Sequence, residues 1–281
     1  MKDYYSIPAD KFNEHSSIQF QFVRTHEDMC RIIAEEIVGL IETNAAQGKM
    51  TKLILPVGPF DYTYLARLCN QRGVSCESLV IFSMDEYCYP DGSAIPMDHP
   101  LSFRAFYQRT LLDVLDEDKK LPPDQLILPD PQDLDMVCRK MEQFGQIDIT
   151  YAGFGINGHI AFNSPPRQHM DVESFRSTTT RILELREGDM VQMAMGGTAG
   201  NLEIIPPKAV TLGLKELLRA RKMHLTFMRS WHAGVLRRAL FGPVTADFPG
   251  SLVQLHDDVC ATVTDLAAAL PPFSLLQSPG K

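Results

Sequence analysis

Short apolar runs alternate along this chain with stretches whose apolar residues recur at helical spacing. Runs bounded by glycine or proline are typical of buried strands, whereas recurrence every three or four residues indicates amphipathic helices. The alternation predicts βαβ units, in which a parallel sheet carries helices on both faces. We therefore predict an α/β fold, a Rossmann-like three-layer sandwich with a mostly parallel sheet. The expected strands are 52–56, 78–82, 147–154 and 224–228. The first expected helix follows an N-cap pair, Thr25 and Asp28, and ends near Gly48, and the others are 62–71, 103–115 and about 212–221.

Composition excludes several classes of protein. The chain has 281 residues, 44% of them hydrophobic, which is enough to bury a large core. No apolar run reaches the roughly 18 residues of a membrane span, and the N-terminus lacks the apolar stretch of a signal peptide. A cytoplasmic protein without a membrane partner is expected.

The net charge of −8, without a basic cluster, argues against nucleic acid as a partner. The six cysteines are dispersed, with no CxxC pair, so their spacing predicts free thiols and no metal site.

The most informative motif is a glycine-rich turn that carries His159. An apolar strand pattern ends at Phe154, and Gly155 and Gly158 then allow the backbone to turn sharply and approach a ligand. Ligands of open α/β sheets bind where parallel strands end in this way. Because imidazole takes and gives protons near neutral pH, His159 is a candidate general acid or base. The alternative is that the turn is only a connection.

Two further strand ends carry residues suited to a site. Asp85 and Glu86 follow the strand at 78–82, where adjacent carboxylates can shift each other's pKa and supply a base. The turn at 55–60 could present backbone N–H groups to an anion. Both patterns also occur in ordinary turns, so it is their combination and order that indicate a site.

Taken together, these segments resemble the glucosamine-6-phosphate deaminase family, within the wider group that includes the 6-phosphogluconolactonases. The resemblance spans about residues 20–265, so we expect one domain with that core, followed by a loose proline-containing tail at 266–281. Asn-Gly-His-Ile-Ala-Phe-Asn at 157–163 favours the deaminase branch. The other matching motifs are Met-Asp-Glu-Tyr at 84–87, Asp-His-Pro at 98–100, Thr-Arg-Ile at 180–182, Ala-Val-Thr-Leu-Gly at 209–213 and Gln-Leu-His at 254–256.

The resemblance implies a reaction. Family chemistry opens the sugar ring, transfers a proton between C2 and C1 and releases ammonia, with no metal or organic cofactor. By this resemblance, His159 assists ring opening, Asp85 moves the proton and Asn157 orients the histidine. The implied partner is a sugar or sugar phosphate, and the resemblance also allows a homo-oligomer.

The chain departs from the family pattern at several positions. Ser164 stands where the family has a glutamate that partners the catalytic histidine, and a hydroxyl supplies no charge. Unless another acid such as Glu86 replaces it, ring opening should slow. The family's phosphate-binding lysine falls at His232, while Arg229 stands where glycine is usual and offers a replacement cation. The expected substrate-binding residues are Gly58, Phe60, Glu86, Gly158, Arg229 and His232.

These departures leave the activity open. The favoured hypothesis is an aldose-ketose isomerase or deaminase of an amino-sugar phosphate, with an altered substrate. A second hypothesis is a sugar-binding or regulatory protein that has lost efficient chemistry. Lactone hydrolysis is a third, disfavoured by the residues after His159.

Overall fold

The computed structural model describes residues 3–58 and 60–275, which form two β-sheets surrounded by helices. The larger sheet has seven strands in the order β1-β10-β9-β6-β2-β3-β5, and every neighbouring pair is parallel. The smaller sheet is antiparallel, in the order β4-β8-β7. The strands are β1 Gln19–Val23, β2 Thr51–Leu55, β3 Leu79–Ser83, β4 Asp85–Cys88, β5 Leu126–Ile127, β6 Ile149–Ala152, β7 Arg181–Glu184, β8 Lys208–Thr211, β9 Lys222–Phe227 and β10 Val259–Thr264.

The α-helices range from one turn to six. They are α1 Phe12–His15, α2 His26–Ala46, α3 Thr63–Arg72, α4 Phe103–Tyr107, α5 Met136–Phe144, α6 Val172–Arg176, α7 Glu187–Gly197, α8 Leu214–Leu217, α9 His232–Phe241, α10 Asp265–Ala268 and α11 Pro272–Leu275. A π-helical turn, Gln108–Leu112, continues α4. In the described ranges, no helix combines the length and the apolar character needed to cross a bilayer.

The core lies on both faces of the larger sheet because its central strands carry buried apolar residues on both sides. In β2, Leu53 and Leu55 pack in a cluster with α2 and α3, whereas Ile54 packs in a second cluster with α5, α8 and α9. Successive side chains of a strand point to opposite faces, so a strand between two helical layers needs apolar residues throughout. The predicted fold class is confirmed.

Helix α2 begins as its sequence predicts. The Thr25 hydroxyl accepts the backbone N–H of Asp28 at 3.1 Å, and the Asp28 carboxylate accepts the backbone N–H of Thr25 at 3.1 Å. This reciprocal cap satisfies two donors that the first helical turn leaves unpaired. The helix ends at Ala46, two residues before Gly48, which has a left-handed φ of 65°.

Three predicted segments differ from the structure. Residues 85–88 form an edge strand of the smaller sheet, because β4 pairs with β8, which is distant in sequence. The helix expected at 212–221 is limited to Leu214–Leu217. The tail prediction is wrong for 266–269, because α10 is helical and Arg237 donates to the carbonyls of Ala268 and Ala269 at 3.0 Å. Residues 276–281 of that predicted tail lie outside the described residues.

Candidate active site

A cavity of about 500 Å³ opens at the carboxyl ends of β2, β6 and β9. Five of the predicted site residues line it: Gly58, Asp85, His159, Arg229 and His232. This is the sheet edge at which open α/β folds bind ligands. The remaining predicted residues, Phe60, Glu86, Asn157, Gly158 and Ser164, lie outside the lining, and their contacts explain why.

The turn that holds His159 is closed by tight contacts. The Gly155 amide donates to the carbonyl of His159 at 2.9 Å, and a Cβ on Gly155 would lie 2.1 Å from the imidazole Cε1. Only glycine leaves room for the ring at that position. Gly158 has a φ of 81° and packs against Phe248, and its carbonyl accepts the amide of Gly250 at 2.7 Å. Gly158 therefore shapes the turn and does not face the cavity, contrary to its predicted role in substrate binding.

A carboxylate that sequence reasoning missed partners the histidine. Asp189 lies in the first turn of α7, is 2% exposed, and places its Oδ1 3.0 Å from Nδ1 of His159. Its Oδ2 accepts the Ser164 hydroxyl at 2.6 Å, and its Oδ1 accepts the Asn157 amide at 2.8 Å. Burial opposes ionisation of Asp189, but these hydrogen bonds outweigh burial and hold its pKa below the usual range. Ser164 thus stands beside a carboxylate that another element supplies.

Asn157 holds the turn from its own side. Its Oδ1 accepts the backbone N–H of His159 at 3.0 Å, while its Nδ2 donates to Asp189 at 2.8 Å and to Ser164 at 3.3 Å. Because Nδ1 of His159 faces Asp189, Nε2 is the ring nitrogen left for a ligand in the cavity. Asn157 and Ser164 thus hold His159 and Asp189 in place and do not line the cavity.

Asp85 is the buried carboxyl group of the cavity wall. It is the first residue of β4, is 5% exposed and pairs across the small sheet with Thr211. Burial, and then the neighbouring charge of Glu86, raise the pKa of Asp85 well above its ordinary value. A carboxylate made more basic in this way is suited to removing a proton from carbon.

Glu86, predicted to bind substrate, does not line the cavity, and its carboxylate is bonded to protein groups. Its carboxylate accepts the backbone N–H groups of Phe103 and Arg104 at 3.0 Å and the Ser102 hydroxyl at 3.2 Å. These are donors at the start of α4, so Glu86 caps that helix. Burial raises its pKa, although the hydrogen bonds oppose the shift. Its position also excludes it as the replacement for the missing family glutamate, a role that Asp189 is placed to fill.

His232 is also unavailable as a binding cation. Its Nδ1 accepts the backbone N–H groups of Met228 and Arg229 at 2.8 and 3.2 Å, and its Nε2 lies 3.1 Å from the carbonyl of Phe154. Burial lowers the pKa of His232 to about 4, so the ring is neutral at physiological pH. His232 lines the cavity without supplying positive charge, and its role in binding substrate stays a prediction.

Two exposed arginines supply the positive charge of the cavity. Arg109 and Arg229 both line it, and within residues 3–58 and 60–275 neither guanidinium has a hydrogen bond or ion pair. Sequence reasoning identified Arg229 but missed Arg109, which the π-helical turn after α4 carries. Guanidinium groups without a protein partner can bind a phosphate or carboxylate.

The rest of the wall is largely apolar. Phe60, predicted to bind substrate, is 4% exposed and packs against Tyr62 and Tyr151 behind the wall, at ring distances of 6.1 and 6.0 Å. Helix α7 contributes a face that sequence reasoning did not anticipate. The apolar lining comprises Val57, Met84, Leu101, Phe103, Phe106, Phe154, Ile156, Phe162, Val191, Met193, Met195, Met228 and Trp231.

Comparisons with known proteins find both sequence relatives and structural neighbours. No protein-family model matches the chain. A glucosamine-6-phosphate deaminase of Bacillus subtilis is 29% identical over 217 residues, covering 75% of this chain and 82% of the relative. One from Clostridium perfringens is 26% identical over 256 residues, covering 88% and 97%.

Solved structures agree on the fold. A monomeric glucosamine-6-phosphate deaminase of the NagB superfamily superposes with a TM-score of 0.76 at 24% identity, covering 90% of this chain and all of that one. A 6-phosphogluconolactonase from Shewanella baltica gives 0.64 at 16% identity, covering 89% and 98%. Over most of its length, the chain is therefore similar in sequence to curated glucosamine-6-phosphate deaminases, from which it has diverged.

Proposed function

We propose that this protein is an aldose-ketose isomerase and deaminase of an amino-sugar phosphate. The observation that carries the proposal is that Asp85 and His159 line the same cavity, and that His159 is hydrogen-bonded to Asp189. A buried base and a histidine backed by a carboxylate are the two groups that this chemistry needs. The relatives named as glucosamine-6-phosphate deaminases supply the class of substrate.

The proposed reaction begins with ring opening. His159 Nε2 gives a proton to the ring oxygen as the bond between that oxygen and C1 breaks, and it takes up the proton that the C1 hydroxyl loses on becoming a carbonyl. Asp189 accepts the hydrogen bond of Nδ1 and stabilises the charged imidazole during proton exchange. The histidine then needs no glutamate at position 164.

Proton transfer between carbons follows. Asp85 removes the proton from C2 while His159 returns a proton to the C1 oxygen, which gives an enediol-type intermediate. Asp85 then delivers its proton to C1. The product is a ketose imine, whose hydrolysis by one water yields a ketose and ammonia. Burial of Asp85 favours this role because a desolvated carboxylate is a stronger base than one in bulk water.

The anionic end of the substrate is proposed to face Arg229 and Arg109. This arrangement differs from the buried cation of the family pattern because His232 is neutral. An exposed guanidinium binds more weakly than a buried one, since water screens its charge. We therefore propose a substrate altered at this end relative to glucosamine 6-phosphate. A cytoplasmic location and a homo-oligomer remain parts of the proposal.

Proton NMR in D2O with glucosamine 6-phosphate and other amino sugars tests this function. We expect deuterium at C1 or C2, ketose formation and ammonia release from the wild-type protein. Asp85→Asn should abolish exchange and turnover, whereas Asp124→Asn, which changes an exposed acid elsewhere, should leave both unchanged. Ligand-induced stabilisation without exchange for any sugar would favour a binding protein, and hydrolysis of a sugar lactone would favour the lactonase activity of the more distant structures.

A further inference from the structure

A second group of polar side chains lies between α2 and the larger sheet, away from the cavity. Glu36 projects from α2, and His224 and Cys260 are cross-strand neighbours on β9 and β10. One ligand atom from each residue can be chosen such that all three lie within 4.8 Å of one another. None of the three lines the cavity that holds Asp85, so the proposed reaction does not explain this group.

We propose that Glu36, His224 and Cys260 bind a divalent transition metal ion, with Zn²⁺ the best match. A carboxylate oxygen, an imidazole nitrogen and a thiolate are the three protein ligand types that Zn²⁺ uses. The Glu36 side chain is 24% exposed and Cys260 is half-buried, so water can reach the fourth position of a tetrahedral site.

The surrounding contacts orient these ligands. Nε2 of His224 lies 2.7 Å from the Thr262 hydroxyl, which leaves Nδ1 facing Glu36 Oε2 at 2.5 Å. The Tyr151 hydroxyl donates to the same carboxylate at 2.8 Å, and its ring stacks on the imidazole at 5.3 Å. A metal-binding histidine usually has its second ring nitrogen fixed in this way, and its carboxylate neighbours are themselves hydrogen-bonded.

Lys222 supplies positive charge to the group when no metal is bound. Its ammonium lies 2.7 Å from Glu36 Oε1, and its side chain is 30% exposed. A metal ion would displace this ammonium, which can move into water because its stem is flexible. Binding would also release the thiol proton of Cys260 and the proton held between His224 and Glu36, and both would pass to solvent.

Metal titration of the full chain, treated with EDTA and then dialysed, tests the proposal. We expect one equivalent of Zn²⁺ by elemental analysis, a higher melting temperature, and a thiolate-to-cobalt absorption band when Co²⁺ replaces Zn²⁺. Cys260→Ser and Glu36→Gln should each weaken binding about 10-fold or more, and Cys260→Ser should remove the cobalt band. Cys138→Ser, at a half-buried cysteine outside the group, is the matched control.

Two results would overturn the proposal: less than one equivalent bound by the wild-type protein, or binding by Cys260→Ser and Glu36→Gln equal to that of wild type. Circular dichroism of both variants before titration separates lost ligands from lost folding. The readouts are independent of turnover, so failure of this proposal leaves the proposed enzyme function untouched.

Discussion

Exchanging the side chains at positions 164 and 189 gives the sharpest test of the active-site reasoning. Asp189→Ser removes the carboxylate that accepts from His159 at 3.0 Å, and Ser164→Glu adds one where Ser164 now contacts Asp189 at 2.6 Å. The double variant therefore moves the acid from α7 to the histidine turn. If the carboxylate and not its chain position matters, the double variant should be more active than Asp189→Ser alone.

The expected magnitude follows from the bonds that are lost. A hydrogen bond to a charged group contributes about 1.5–3 kcal/mol, so losing the bond between His159 and Asp189 should slow turnover by about 10- to 150-fold. Ser164→Glu alone should also slow turnover and lower the melting temperature, because it places two buried carboxylates side by side. The double variant should recover at least part of each loss, as expected for two residues in direct contact.

The test is a double-mutant cycle. It compares turnover and thermal unfolding of wild type, both single variants and the double variant. Glu187→Ser is the matched control, since Glu187 is an exposed acid in the same helical turn as Asp189. Turnover of Asp189→Ser within about 3-fold of wild type would refute the role of Asp189, because such a change is below the loss of one charge-assisted bond. If the double variant turns over no faster than the slower single variant, the idea that a carboxylate at position 164 can replace Asp189 is refuted.

Three other changes test separate parts of the structure. Glu86→Gln should lower the free energy of unfolding by about 1–3 kcal/mol in urea titrations, because a neutral amide caps α4 less well; a change below about 0.5 kcal/mol would contradict the capping role. Although burial opposes it, interactions of the His224 ring with Cys260 and Glu36 raise the pKa of His224 to about 9. The stability that the charged His224 adds should therefore be complete below pH 6.5 and lost as pH rises through 9, in urea titrations of metal-free protein. Equal stability at pH 6.5 and 9.5, relative to Glu36→Gln, would refute this contribution. Arg229→Ala should raise KM for a sugar phosphate about 10-fold with little change for the unphosphorylated sugar; equal effects on both would show that Arg229 does not bind the phosphate.

Local sequence determined the central elements of the fold and the identity of two proposed reacting groups. Apolar strands, the Thr25 cap and the glycine turn each depend on residues within a few positions of one another, so their patterns are visible in the chain. Asp85 and His159 each follow a predicted strand, and parallel strands bring their carboxyl ends to one edge. Both side chains could therefore be assigned to the same site before any coordinates.

Tertiary structure decided which groups surround them. Asp189 lies 30 residues beyond His159, and nothing in its local sequence distinguishes it from an ordinary acid in a first helical turn. Glu86, next to Asp85 in sequence, is instead committed to the start of α4, and burial lowers the pKa of His232 so that its ring is neutral. Contacts between side chains depend on distances that only folding sets. The sequence therefore determined which residues could do the chemistry, and the packing of distant elements decided which of them are free to do it.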